Sequence, residues 1–452
     1  MPDKKTTKKT TTAAKSKQKK QAVVIIHGIG EQKPMDTTWG FVKSMWIGNK
    51  AIHKPHTSPK VWSKPVSGEL ATEMKRLTTG YNKNDIGTDF FEFYYQHMIK
   101  DTRVSHVMGW AKTLLFRKPA SVPKPMRSVY WLLWILLVTG LALVISGVFD
   151  DTGSLFNTQS FFGLVVISFA RFILTKIVGD AARYLLPAPE NLEIRDQVRK
   201  AGAKLLLNLS SLGKGSPQGE KYYRIIVMGH SLGSVVAYDI IQQAWLHHYA
   251  SLGDSSKRTK HGKARAALEA ILGDETATWK TIQPLQRAYY DALKDKAGTG
   301  WRIEHLITCG SPLAHADLLL AHDRNHLNEK IARREMSICP PLSEGPVSNP
   351  RFSYSNSSTN GNIPHHAAPF AATRWSNLYF PCKAIIKGDI VGGPVVPLFG
   401  PGIRDVPVES SQQYGLLLHT LYWHAKTDDA KHLQAFQEVL DLIDAFGKKM
   451  DN

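Results

Sequence analysis

The sequence predicts an α/β fold with a mostly parallel sheet. Short β-branched or aromatic runs recur along it, among them "QAVVIIHG" (21–28), "DFFEFYYQH" (89–97), "YYRIIVMGHS" (222–231) and "HLITCGSPL" (305–313). Longer segments with apolar residues at helical spacing lie between them, and this alternation is the pattern of a parallel sheet with crossover helices. Hydrophobic residues make up 43% of the 452, enough to bury a sizeable core.

Residues 1–20, "MPDKKTTKKTTTAAKSKQKK", carry eight lysines against one aspartate. With nothing apolar larger than alanine except Met1, the stretch is expected to be disordered, and it lacks the apolar region of a secretory signal. It supplies +7 of the formal net charge of +19. The rest is spread over the body. No helix shows a basic face interleaved with stacking aromatics, so nucleic acid is not the expected partner. An anionic membrane surface accounts for the excess. The three cysteines, Cys309, Cys339 and Cys382, form no CxxC pair, and their odd number points to a reducing compartment. No metal-ligand cluster is visible, so neither metal nor cofactor is expected.

Residues 21–116 read as the first part of a catalytic-size domain, interrupted by an insertion at 117–184. Within the insertion, "VYWLLWILLVTGLALVISGVF" (129–149) is 21 residues without a charge, with Tyr130, Trp131 and Trp134 at one end. That length suits a bilayer core of about 20 helical residues, and the aromatics suit its boundary. A second apolar segment, 161–179, contains Arg171. A central arginine costs about 2.5–3.5 kcal/mol on insertion, unless it snorkels together with Lys176. The expectation is a transmembrane hairpin, with a re-entrant or interfacial helix as the alternative for 161–179. The connector from Asp150 to Ser160 has no Lys or Arg, while Arg117, Lys118, Lys124 and Arg127 precede the hairpin and Arg183 follows it. Both ends are therefore expected in the cytoplasm.

The domain resumes over 185–450. Helices are expected at 194–212 and 234–250, a fifth strand in "SNLYF" with "CKAIIKGD" (376–389), and a closing amphipathic helix at 430–450. Two stretches fall outside the core pattern: a charged, largely helical insertion at 253–300 and a Pro/Ser/Asn/Gly-rich loop at 339–369. Either is a candidate lid.

The sharpest motif is "GHSLGS" (229–234). Ser231 sits between Gly229 and Gly233, after the apolar "RIIVMG" and before a helix-competent "GSVVAYDII". Small residues two positions either side of a serine let it occupy a strained turn between strand and helix, with the helix N-terminus presenting free N–H groups. A serine hydroxyl needs a base and a site for negative charge. "VVIIHGIGEQ" (23–32) supplies the second: Gly28 and Gly30 let the backbone turn inward, making Ile29 and Leu232 the candidate oxyanion donors through their N–H groups. His27 is assigned to orienting that loop. The stretch lacks the lysine of a P-loop and the third glycine of a dinucleotide fingerprint.

Together "HGIG" (27–30), "GHSLGS" (229–234, which includes His230) and "GSPL" (310–313) resemble a lipase-type member of the α/β-hydrolase superfamily. The resemblance covers roughly residues 21–110 and 185–446. It implies an eight-stranded, mostly parallel sheet and the order nucleophile, acid, histidine. The acid is expected at Asp389, which follows a β-branched run and precedes a glycine turn, with Asp317 and Asp405 as fallbacks. The base is expected at His419, with His424 open beside it and His315, His365 and His366 weaker; the last two are candidates for the site's rim. These assignments imply a membrane-anchored serine hydrolase cleaving carboxylic esters of lipids. A thioesterase or acyltransferase on the same triad, or a non-catalytic membrane-tethered scaffold with a relic hydrolase fold, are the rival readings.

Overall fold

The computed structural model describes residues 18–443, apart from 29–32, 49–59, 67–74, 83–84, 100–114, 123, 149–157, 169–183, 186–188, 212–221, 253–258, 295–300, 347, 357–360, 383–387, 409–415, 423–436 and 440. Eight strands form one mixed, mostly parallel sheet: β1 (Lys19–Ile26), β2 (Val61–Pro65), β3 (Lys75–Thr79), β4 (Ile86–Phe93), β5 (Arg224–His230), β6 (Ile303–Cys309), β9 (Arg374–Tyr379) and β10 (Arg404–Pro407). Their order is β10-β9-β6-β5-β1-β4-β3-β2. Pairing is parallel from β10 across to β4, and only β3 runs antiparallel to its neighbours. A separate hairpin joins β7 (Ser353–Asn356) to β8 (Gly361–Pro364).

The central strands are apolar along their whole length because both faces of the sheet are covered. In β1, Ala22, Val24 and Ile26 enter one core cluster, while Val23 and Ile25 enter the other. In β5, Ile225 and Val227 face the first, and Ile226 and Met228 the second. This is the two-residue period of a strand read on two buried faces. Helices Pro189–Ser211 and Leu232–Leu246 cover the first face. Helical residues 437–439 and 441–442 of the expected closing helix bury Val439 and Leu442 on the second.

Several sequence expectations change. The strand starts at Lys19, inside the stretch expected to be disordered, and Lys20 pairs with buried Asp89 at 3.1 Å alongside Arg76 at 3.2 Å. The strand placed at 89–97 is β4, which begins at Ile86 and stops at Phe93. Strands β2, β3, β10 and the β7–β8 pair were not expected; all are short or polar, and β2 is an exposed edge. The second half of the expected fifth strand, 383–387, lies outside the described residues.

The two stretches set outside the core belong to it. Insertion 253–300 holds helices Lys260–Ala270 and Trp279–Lys294, and Ile282, Tyr289, Tyr290 and Leu293 are buried in the main cluster. Gln283 Nε2 donates to the carbonyls of Trp375 in β9 and Gly402. In 339–369, Cys339, Phe352 and Ala368 are buried in the same cluster. These contacts tie the described core-facing parts of both stretches to the main cluster.

One described helix is long and apolar enough to cross a membrane. Lys124–Val148 is 25 residues, about 37 Å at 1.5 Å per residue. Its apolar window, Met126–Ser146, is only 6% buried, unlike the core helix of a soluble domain. A shorter apolar helix, Thr158–Ser168, packs on it. The contact needs glycine: a Cβ on Gly163 would lie 2.7 Å from the Gly140 carbonyl oxygen. Residues 169–179 of the expected second span lie outside the described residues, and so does Arg171.

At the N-terminal ends of the strands, a buried charge cluster closes the sheet. Glu304 meets Arg224, Arg374 and Arg287. Arg224 also donates to Gln21 and to the carbonyl of Ile443. Burial alone would push the Glu304 carboxyl up, but the guanidinium charges of Arg224, Arg374 and Arg287 outweigh it and hold it well below its ordinary range. Because the folded-state value is depressed, this stability is present above the ordinary carboxyl value of 4.5 and is lost as pH falls below it. Glu304→Gln leaves buried guanidiniums uncompensated and should cost about 3–5 kcal/mol in urea unfolding at neutral pH. The deficit relative to wild type should shrink as the pH is lowered.

Candidate active site

Ser231 lies at the junction of β5 and the helix Leu232–Leu246 with φ 52° and ψ −129°. A positive φ is costly for a serine, and the surroundings enforce it. A Cβ on Gly233 would sit 2.3 Å from the His27 carbonyl oxygen and 2.4 Å from that of Ile26. A Cβ on Gly229 would sit 2.4 Å from the Gly233 carbonyl oxygen. The helix start is thus pressed against the end of β1. The Ser231 N–H is held by the Cys309 carbonyl at 3.0 Å, and the Ser231 carbonyl accepts from Ser234 N at 2.9 Å and Ser234 Oγ at 2.6 Å. Ser234 Oγ in turn meets Ser311 Oγ at 2.7 Å.

His419 comes from the turn Leu416–Thr420, and Asp389 from the loop after β9. His419 Nε2 is 2.8 Å from Ser231 Oγ, and Nδ1 is 2.9 Å from Asp389 Oδ2. A carboxylate beside Nδ1 keeps the proton there, which leaves Nε2 to accept from the serine hydroxyl. His230 Nε2 donates to the backbone carbonyl of His419 at 2.7 Å, so the residue before the serine also holds the base in place.

The acid is deeply buried. Its Oδ1 accepts from Val391 N at 2.9 Å, and its Oδ2 from the Tyr422 hydroxyl at 2.8 Å. Burial pushes the Asp389 carboxyl up, but the hydrogen bond and charge of His419, the Gly392 N–H and Tyr422 outweigh it and hold it below its ordinary value. Asp389 therefore stays ionised against the imidazole. Two glycines make room for it. A Cβ on Gly392 would be 2.6 Å from Asp389 Oδ2. Gly310, at φ 56°, would place one 2.6 Å from the Tyr422 ring and 3.1 Å from His419 Cε1.

Sequence reasoning named Ser231, Asp389 and His419, and they meet. It missed Tyr422, Gly392, and the roles of Ser234, Gly310 and Ser311. Signals existed: Tyr422 is three residues past His419, and Gly310 opens the quoted "GSPL". Leu232 is the first residue of its helix, so its N–H has no intrahelical acceptor and is open to an oxyanion. Gly28 packs behind the serine: a Cβ there would be 2.9 Å from Ser231 Cβ. Ile29 and Gly30 lie outside the described residues, as does His424.

The other candidates are placed elsewhere. Asp405 accepts from Val395 N, Val396 N and Asn377 and serves as a structural cap. Asp317 lies in the first turn of the short helix Ala316–Leu319, and His419 is already held by Asp389. His27 is buried and stacked on Tyr95 at 4.6 Å; burial lowers its pKa to about 4, so it is neutral and structural. His315 Nε2 donates to the Ile390 carbonyl. His365 is 1% exposed, donates to the Leu342 carbonyl and accepts from Ala367 N, so it is a core residue and no part of a rim. His366 is exposed and stands edge-on to Tyr249.

No family model, curated protein or solved structure matches this chain. Among the described residues no cluster of His, Cys, Asp or Glu could hold a metal ion.

The packing around the acid yields a graded expectation for reaction of Ser231 with a fluorophosphonate. Tyr422→Phe removes one bond to a charged carboxylate and should slow labelling about tenfold. Gly310→Ala displaces base and acid together and should slow it about 100-fold. Thermal melting of both variants separates these effects from loss of fold.

Proposed function

We propose that the protein is a membrane-anchored serine hydrolase that cleaves carboxylic esters of lipids. The observation that carries the reading is the continuous Ser231–His419–Asp389 relay at 2.8 and 2.9 Å, on a serine held at positive φ. The lipid class is supported by the apolar helix Lys124–Val148 in the same chain. The chemistry belongs to the α/β-hydrolase superfamily that the motifs resemble, and the mostly parallel sheet is compatible with it.

In the proposed reaction, His419 Nε2 takes the Ser231 proton as Oγ attacks the ester carbonyl. Asp389 fixes the tautomer and stabilises the imidazolium. The Leu232 N–H, with that of Ile29, receives the oxyanion. His419 then protonates the leaving alcohol, and water, activated by the same imidazole, resolves the acyl-enzyme. Each group is used in the state its surroundings favour: an ionised acid, an Nδ1-protonated base and a neutral serine.

The proposal extends to topology. The apolar stretch 161–179 forms a second span, and the Lys/Arg-free connector lies on the side opposite the catalytic domain, which is cytoplasmic. Attack by an alcohol or thiol acceptor would give an acyltransferase on the same triad, and a thioester substrate a thioesterase; no feature of the site favours either over ester hydrolysis.

Wild-type protein in mixed micelles should label with a fluorophosphonate probe, and Ser231→Ala should not. Asp389→Asn should label about 10³–10⁴-fold more slowly. Absence of wild-type labelling in folded protein would sink the enzyme reading in favour of a scaffold.

A further inference from the structure

The apolar helix is not a loosely tethered anchor. Its first turns are bonded to the segment that precedes it: Tyr130 Oη donates to the carbonyls of Leu115 and Arg117, and Trp134 Nε1 to that of Leu115 at 3.1 Å. Arg127 donates to the Val122 and Ala120 carbonyls. That segment is in turn clamped to the catalytic domain. The Arg117 guanidinium donates to the carbonyls of His322 at 2.8 Å and Ala321 at 2.9 Å.

The place of that clamp matters. Ala321 and His322 lie early in the crossover that leaves the C-terminal end of β6, between the helices Ala316–Leu319 and Arg324–Ala332. The same crossover holds Ser311, bonded to Ser234 behind the nucleophile, and His315, bonded to the carbonyl beside Asp389. On the far side of the insertion, Tyr184 Oη donates to Asp239 on the nucleophile's own helix, at 2.8 Å. The opposite, N-terminal edge of the sheet is closed by the Glu304 cluster. Beside the clamp stands Phe116, 74% exposed and edge-on to Trp134, with Lys118 and Arg127 also exposed. An exposed aromatic with cations at the foot of an apolar helix fits an anionic lipid interface.

We infer that the catalytic edge of the sheet docks on the bilayer surface through the Phe116, Lys118 and Arg127 collar, with Arg117 as the positioning residue that fixes its orientation, and that the acyl ester is drawn from the membrane interface. The occupant of this surface is the bilayer, because the collar is continuous with the apolar helix. The inference rests on the hydrolase reading above.

The test uses the full chain reconstituted in phosphatidylcholine vesicles containing a minor share of phosphatidylglycerol. Two substrates are compared: water-soluble p-nitrophenyl butyrate and a fluorogenic diacyl phospholipid in the bilayer. Arg117→Ala and Phe116→Ser should keep the soluble-ester rate within about twofold and lose about tenfold on the bilayer lipid, the scale of an orientation effect. Equal rates of wild type and variants on the bilayer lipid overturn the inference, and so does a parallel loss on both substrates. A wild type inactive on both substrates overturns the hydrolase reading itself.

Discussion

The contact on which the site depends is the close approach of the helix that follows Ser231 to the end of β1. Gly233 lies against the carbonyls of Ile26 and His27, where any side chain would collide. With that approach made, the chain between β5 and the helix has one tight path, and Ser231 is forced to positive φ. The strain is held by the central strands themselves, whose two faces bury separate clusters. A serine set at such a junction is positioned by backbone packing, the kind of support that orientation-dependent chemistry needs.

A second layer of small residues and hydroxyls aligns the remaining groups. Gly310 and Gly392 give the acid its space, Tyr422 ties the acid to the backbone at Phe380, and His230 ties the base to the elbow. These contacts connect the ends of β5, β6 and β9 with a turn near the end of the chain. Charge is handled differently at the two ends of the sheet. One end spends buried arginines on Glu304 to hold the strands and the closing helix together. The other buries a single ionised carboxylate beside a histidine and leaves the serine within its reach.

The long apolar helix Lys124–Val148 joins the same frame. Arg117 and Tyr184 bind the two sides of its insertion to elements that lead away from Ser231, His419 and Asp389. A helix bonded in this way is held against the domain, in contrast to a segment on a flexible linker.

The elbow, the long apolar helix and the α/β alternation were legible in the sequence because each is a local constraint. Gly229, Ser231 and Gly233 meet within one turn, and an uncharged run of 21 residues needs no partner to be recognised. Asp389 and His419 were readable only as choices among several acids and histidines. Ser231 and His419 are 188 residues apart, and the side-by-side pairing of β5, β6 and β9 with the turn Leu416–Thr420 packed at their ends brings them to 2.8 Å. Short strands such as β3 and β10 carried no apolar run because their stability comes from neighbours already in place. The helical insertion at 253–300 looked too charged for a core, since Arg287 and Lys294 flank the residues that it buries. The sequence by itself determined the tight turn at Ser231, whose physics is contained in a few adjacent residues. Tertiary structure decided which carboxylate, which histidine and which tyrosine meet the serine, because those choices depend on distances between segments that only packing creates.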